Sequence, residues 1–274
     1  MAYYRTRDGC SLYYETVGFD FSRPVVLFLN GTMQTTIYWK GVASSLQPAF
    51  NSLLYDARGQ GESELGKLDL SLDLHTEDLL ALVRHLGLNS FCLVGLSHGA
   101  RLAYSIALRK PDAITHMVLC AVGLRSSLRS RLIVQSWLNI LNEAGIDVMV
   151  TAALPHIFGE AYLVRHQNMI GRIAKTIVRR NRAESLAAHL SAMTQYPRLG
   201  RLVKKLDIPL LVMSGADDPL VNSRGAEELA EKSGGAHMTV KEAGHSLPVE
   251  NTELFVSTLS RFLSGKWVEP PEGL

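Results

Sequence analysis

Residues 95–99 read Gly-Leu-Ser-His-Gly; they close the apolar run Phe91-Cys92-Leu93-Val94 and open a stretch with helical spacing. A serine hydroxyl is a poor nucleophile at neutral pH until a base takes its proton, and it must project where a substrate reaches it. Glycines on both sides of Ser97 suit a sharp strand-to-helix turn, which strains the serine backbone and leaves no room for neighbouring side chains. The helix beginning near His98 aims its first N–H groups and the positive end of its dipole at the same spot. By itself the pentapeptide is equally compatible with a structural glycine turn. Partners decide between the two. An acid and then a histidine are expected later in the chain. Asp217-Asp218-Pro219 follows the apolar run 209–215, and Gly244-His245 follows the run 237–243. A carboxylate that orients an imidazole, which in turn deprotonates a serine, performs acyl transfer through a covalent ester on that serine.

Groups so far apart in sequence need a scaffold that gathers strand ends. Apolar, β-branched runs at 25–30, 52–57, 91–96, 115–122, 209–215 and 237–243 read as strands. Most are continuous rather than alternating, as in strands buried on both faces. Stretches 74–87, 99–110, 223–234 and 252–265 carry helical periodicity between them. Strand and helix in alternation predict an α/β fold, a mostly parallel doubly wound sheet wrapped by helices. In such sheets ligands collect beyond the carboxyl ends of the strands. The candidates there are Asn30-Gly31-Thr32, the loop from Asp56 to Gly61, Ser97, Asp217-Asp218 and His245. The opening Tyr-rich runs around Asp8-Gly9 predict a β-hairpin. The interval 123–205 holds amphipathic helical runs without a convincing strand and is too long for a loop. The expected organisation is a core of residues 1–122 and 206–266, a helical cap over 123–205, and a Pro-rich tail over 267–274.

The 274 residues, 47% hydrophobic and 20% charged, suffice for one large core with an inserted subdomain. No apolar stretch approaches 18 residues, and residues 1–9 lack the basic and apolar regions of a secretory signal. The expected location is cytoplasmic. Cys10, Cys92 and Cys120 are an odd number without metal-type spacing and read as reduced, buried thiols. Charge is uneven: from 123 to 205 there are 13 Lys and Arg against 4 Asp and Glu, net +9, leaving −7 for the rest. A positive lid, including Arg165, Arg172, Arg179, Arg180 and Arg182, would steer an anionic substrate or an acidic carrier protein; solvated helix faces are the alternative. No recognition motif accompanies the basic segment, so nucleic acid is not an expected partner.

Four motifs, in order and across most of the chain, give a specific resemblance. Gly95–Gly99 matches a nucleophile elbow, residues 56–63 (DARGQGES) a DxRGxGxS loop, residues 215–219 (GADDP) an acid turn, and residues 243–255 a histidine loop with its helix. The chain resembles the α/β-hydrolase superfamily, and within it esterases similar to 3-oxoadipate enol-lactonases. The resemblance implies Ser97 as nucleophile, His245 as base and then acid, and Asp218, the aspartate before proline, as the orienting acid. It implies an oxyanion hole made by the backbone N–H groups of Thr32 and His98, and a cap over 123–205. Asn30-Gly31 stands where most relatives have His-Gly; enol-lactonase-like subgroups and some carrier-protein acyltransferases share that asparagine. Asn30, Tyr38, Trp39, Trp137 and His156 are candidate substrate contacts, while His75, His85 and His116 read as packing residues. The implied activity is cleavage of a small carboxylic ester, lactone or thioester through an acyl-enzyme, with no metal or organic cofactor. Acyl transfer to an alcohol or thiol and C–C hydrolysis of a diketone use the same triad. A small-ligand receptor that keeps the fold is the reading from another class.

Overall fold

The apolar runs and the Tyr-rich opening fold as strands, and those at Val25–Leu29, Asn51–Tyr55, Phe91–Leu96 and Leu210–Gly215 are buried along their whole length. In the computed structural model, which describes residues 2–18, 20, 22–47 and 49–267, they are β1 (Ala2–Arg5), β2 (Ser11–Val17), β3 (Val25–Leu29), β4 (Asn51–Tyr55), β5 (Phe91–Leu96), β6 (Ile114–Cys120), β7 (Leu210–Gly215) and β8 (Ala236–Val240). They form one sheet in the order β1-β2-β4-β3-β5-β6-β7-β8. The pairs β1–β2 and β2–β4 are antiparallel and the others parallel. The expected strand 237–243 stops at Val240 because Glu242 turns the chain with a φ of +52°.

Helices cover both faces, as crossover connections require. They are α1 (Lys40–Leu46), α2 (Leu72–His85), α3 (His98–Arg109), α4 (Leu128–Ala144), α5 (Ile146–Ile157), α6 (Glu160–Arg165), α7 (Ile170–Arg179), α8 (Ala183–Gln195), α9 (Leu199–Leu202), α10 (Ser223–Ser233), α11 (Leu247–Glu250) and α12 (Thr252–Leu263). Because side chains alternate along a strand, Leu27 and Leu29 face Leu79, Leu82, Ala103 and Leu229 of α2, α3 and α10. Val26 and Phe28 face Val42, Leu46, Phe255 and Leu259 of α1 and α12.

The segment between β6 and β7 is all helix, α4 to α9. It has an apolar centre of its own, built from Trp137, Leu141, Met149, Val150, Leu154, Leu186 and Leu190. Met33 and Leu220, from loops at the carboxyl edge of the sheet, join that centre and seat the helical layer over the edge. Cys10, Cys92 and Cys120 are buried and free. Among the described residues no helix is long and apolar enough to cross a membrane. Of the expected tail, Trp267 packs on Phe262 with ring centroids 5.9 Å apart; the remainder lies outside the described residues.

Candidate active site

Ser97 joins β5 to α3 with φ at +53°, a region non-glycine residues rarely occupy. Neighbouring backbone holds it there. Its N–H donates to the Cys120 carbonyl at 2.8 Å, and its carbonyl accepts from Arg101 N–H at 3.1 Å. A Cβ on Gly95 would strike the Gly99 carbonyl, and one on Gly99 would strike the Leu29 carbonyl, so both positions require glycine. His98 opens α3, where first-turn N–H groups have no intrahelical acceptor.

His245 Nδ1 lies 2.8 Å from Asp218 Oδ2. The other Asp218 oxygen accepts from the N–H groups of Leu220 at 2.8 Å and Val221 at 3.0 Å, which fixes the carboxylate plane. The Asp218 side chain has no exposed surface, whereas Asp217 is exposed on the turn. With Nδ1–H held by the carboxylate, Nε2 carries the lone pair. Ser97, His98, Thr32 and His245 all line one cavity of about 1100 Å³ beneath the helical layer.

Two buried carboxylates support the site, one that motif reading misses and one inside the 56–63 motif. Glu250 is buried at the end of α11, and its carboxylate gathers three N–H groups: Gly159 at 2.7 Å, Gly244 at 2.8 Å and Ser246 at 2.8 Å. The N–H groups of His245 and Ser246 also donate to the Ile157 carbonyl, at 3.0 and 3.1 Å. The end of α5 and the histidine loop are thus bonded on both sides of His245. The only sequence signal is an acid in the otherwise apolar Leu247-Pro248-Val249-Glu250. The second support is Asp56, which accepts from Asn30 Nδ2 at 2.9 Å, Thr36 N–H at 2.6 Å and Glu62 N–H at 3.2 Å. Burial pushes its carboxyl up to about 6, against those hydrogen bonds. Gln60 Nε2 donates to the Gly31 carbonyl at 3.0 Å, and Gln34 Oε1 accepts Gly31 N–H at 2.8 Å, holding the loop that carries Thr32.

Of the expected substrate contacts, Tyr38 and Trp137 line the cavity and three do not. Asn30 is a brace: its Nδ2 is taken by the Tyr55 carbonyl and Asp56. Trp39 is fully buried on the opposite side of its short helical turn, with ring centroids 5.1 Å from Phe28 and 6.2 Å from Phe255. His156 sits behind Trp137, whose indole N–H reaches its Nδ1 at 3.4 Å. His75, read as a packing residue, stacks on His189 and meets His98 edge-on.

The cavity walls are apolar, including Met33, Ile157, Phe158, Ile173 and Ile177, and its charged lining is all of one sign. Arg125, Arg131, Arg172, Arg180, Arg198 and Arg201 come from the helical layer, Arg101 and Lys232 from the core; no Asp or Glu lines it among the described residues. None of the eight is in an ion pair among the described residues. Of the five arginines for which the sequence left cleft and solvent both open, Arg172 and Arg180 line the cavity. Arg182 instead donates to the carbonyl of Ser63 and ties the layer to the core, while Arg165 and Arg179 lie outside the lining.

The geometry has counterparts in known proteins. A family model described as serine aminopeptidase, S33, matches residues 21–251. RutD of Agrobacterium fabrum, which carries a carbamate hydrolase name, is 26% identical over 89% of this chain and 94% of its own. The 3-oxoadipate enol-lactonase 2 of Acinetobacter baylyi is 22% identical over 91% of this chain and 92% of its own. Among solved structures, MGS-M2, an alpha/beta hydrolase enzyme from a Medee basin deep-sea metagenome library, superposes with a TM-score of 0.90 at 20% identity, covering 98% of this chain and all of that one. The enol-lactonase from Burkholderia xenovorans LB400 follows at 0.85 and 24% identity, covering 96% of this chain and all of that one. A glycine-flanked serine on a strained elbow, a His–Asp pair at the ends of later strands, the parallel sheet and a family match over residues 21–251 agree: the chain is a hydrolase of the α/β-hydrolase superfamily and belongs to its serine aminopeptidase S33 family.

Proposed function

We propose that this hydrolase cleaves a small carboxylic ester, lactone or thioester bearing a remote anion, through an acyl-enzyme on Ser97. The observation that carries the reading is one cavity holding Ser97 and His245 at its base, apolar walls, and eight cationic residues without a carboxylate. Ser97 Oγ attacks the carbonyl while His245 Nε2 takes its proton, and Asp218 stabilises the imidazolium that forms. The N–H groups of Thr32 and His98 receive the oxyanion. His245 then protonates the leaving alcohol or thiol, and water deprotonated by His245 releases the acid. The helices of 123–205 act as the cap, whose cations meet the anionic end of the substrate while its apolar faces exclude water from the acyl chain.

The same lining argues against a peptide amino terminus as substrate, since an ammonium group needs a carboxylate partner that the cavity lacks. An enol-lactonase among the relatives fits the ester-type reading. Three buried free thiols suit a reducing compartment, and we place the protein in the cytoplasm.

The test pairs matched aryl esters, one neutral (butyrate) and one with a terminal carboxylate (hemiglutarate), with intact-mass detection of a fluorophosphonate adduct. A single adduct is expected on wild type and none on Ser97→Ala. The anionic ester should show the higher kcat/KM, an advantage that shrinks with salt and in Arg172→Gln/Arg180→Gln by about tenfold. Equal handling of the two esters overturns the anionic substrate. Absence of both adduct and serine-dependent turnover in folded protein overturns the hydrolytic mechanism and favours a ligand receptor.

A further inference from the structure

Three imidazoles from three separate elements converge behind the elbow: His75 of α2, His98 of α3 and His189 of α8. Their ring centroids are 5.1 to 5.4 Å apart. One ring nitrogen from each lies within 4.8 Å of the others. All three are buried, at 0%, 1% and 2% exposure. Such a group in a protein interior has to answer for its hydrogen bonds, because an unsatisfied buried polar atom costs roughly 1–3 kcal/mol. Here both nitrogens of His75, both of His98 and Nδ1 of His189 lack a partner. Five orphaned ring nitrogens in one place are too many for ordinary packing.

The exception is informative. His189 Nε2 meets the Arg58 carbonyl at 2.5 Å, so it carries the proton and Nδ1 is left as a bare lone pair. A ligand histidine that donates its other N–H to a backbone carbonyl is the usual arrangement around a protein-bound metal, since the bond fixes tautomer and ring plane.

We propose that His75, His98 and His189 form a binding site for a divalent first-row transition ion of the Zn²⁺ type, outside the Ser97–His245–Asp218 triad. Three neutral imidazoles suit Zn²⁺ and leave one tetrahedral position for water or an anion. Tetrahedral Zn–N bonds of about 2.0–2.1 Å place the nitrogens about 3.4 Å apart, so the rings close by up to about 1.4 Å on binding. Of the three, His98 also lines the active-site cavity. His98 directly follows Ser97, and His189 belongs to the helical layer. The ion therefore joins core, elbow and helical layer at one point, and its role is to hold them in register.

The test uses the full chain, stripped with chelator and titrated with Zn²⁺ and Co²⁺. One equivalent should bind with submicromolar Kd, Co²⁺ should give tetrahedral d–d bands, and saturation at a hundredfold excess over Kd should raise Tm by about 5–10 °C. X-ray absorption of the Zn²⁺-loaded wild type should show three imidazoles. His75→Phe and His189→Gln, the latter able to keep the Arg58 carbonyl bond, should each lower affinity at least about a hundredfold. No stoichiometric uptake, fewer than three imidazoles on the metal, or unchanged binding in a folded His75→Phe variant overturns the proposal. The last result would place the metal on other histidines such as His166. If both variants fail to fold, the imidazole count on the wild type decides alone.

Discussion

Two regions meet at Ser97 and are built by different rules. At the carboxyl edge of the sheet the buried carboxylates are committed: Asp218 accepts three hydrogen bonds, Glu250 three and Asp56 three. The helical layer above it carries its charge on exposed arginines free of ion pairs, and all four of its acids, Glu143, Asp147, Glu160 and Glu184, are exposed. It touches the catalytic loops through a few polar ties, at Ile157–Gly159, from Asn181 Nδ2 to the Met33 carbonyl at 3.0 Å, and from Arg182 to Ser63. Rigid bonding suits groups that must hold a reactive geometry to a fraction of an ångström. Unpaired surface charge suits long-range attraction, which tolerates movement. On the function proposed above, chemistry and most of the selection lie in different parts of the chain, and each should be alterable without the other.

The sharpest break lies in the edge itself. Ser97→Ala should cut turnover by about 10⁴-fold or more, and Asp218→Asn by about 10³–10⁴-fold with the fold intact, both read as kcat on the anionic ester. Equal loss on replacing Asp217 would contradict the assignment of the acid. Next come the two tryptophans, one from each region. Trp39→Ala should cost about 3–5 kcal/mol in urea unfolding by opening a hole between Phe28 and Phe255, with KM unchanged in whatever protein folds. Trp137→Ala should instead move KM, because its side chain lines the cavity.

A smaller effect concerns pH. The folded Asp56 carboxyl, pushed up by burial to about 6, lies above the ordinary aspartate value of 3.8. Its contribution is therefore complete below about pH 4 and is lost as pH rises through 6, a fall of about 3 kcal/mol by pH 7. Unfolding free energies measured from pH 4 to 7 should show that fall in wild type and lack it in Asp56→Asn; identical slopes would exclude Asp56 as the cause. Glu250→Gln should lower kcat about tenfold on neutral and anionic esters alike, since it loosens the loop bearing His245 rather than a substrate contact. A loss confined to KM would place Glu250 in the wrong region. Arg179→Gln, outside the cavity lining, should change nothing measurable beside Arg172→Gln.

Much of the edge is legible in sequence because strand-end chemistry is local. Ser97 needs its two glycines within two residues, and Asp218 and His245 each follow within a few residues of the end of a strand, β7 and β8. What fails is direction. Tyr38 and Trp39 are neighbours, yet one lines the cavity and the other is core, since a short 3-10 turn at Thr36–Trp39 sends them to different sides. Asn30 looks like a substrate contact by position, but it spends its amide on Asp56, 26 residues away.

Order and spacing along the chain therefore determined the strands, the helical interval, the charge imbalance and the serine–acid–histidine set, because hydrophobic period and turn chemistry act over a few residues. Tertiary structure alone decided that Glu250 ties the histidine loop to α5, that Arg172 and Arg180 face the cavity while Arg179 does not, and that His75, His98 and His189 share one buried point. Those outcomes depend on which faces of distant elements meet, and packing across the fold, not neighbours in sequence, sets that.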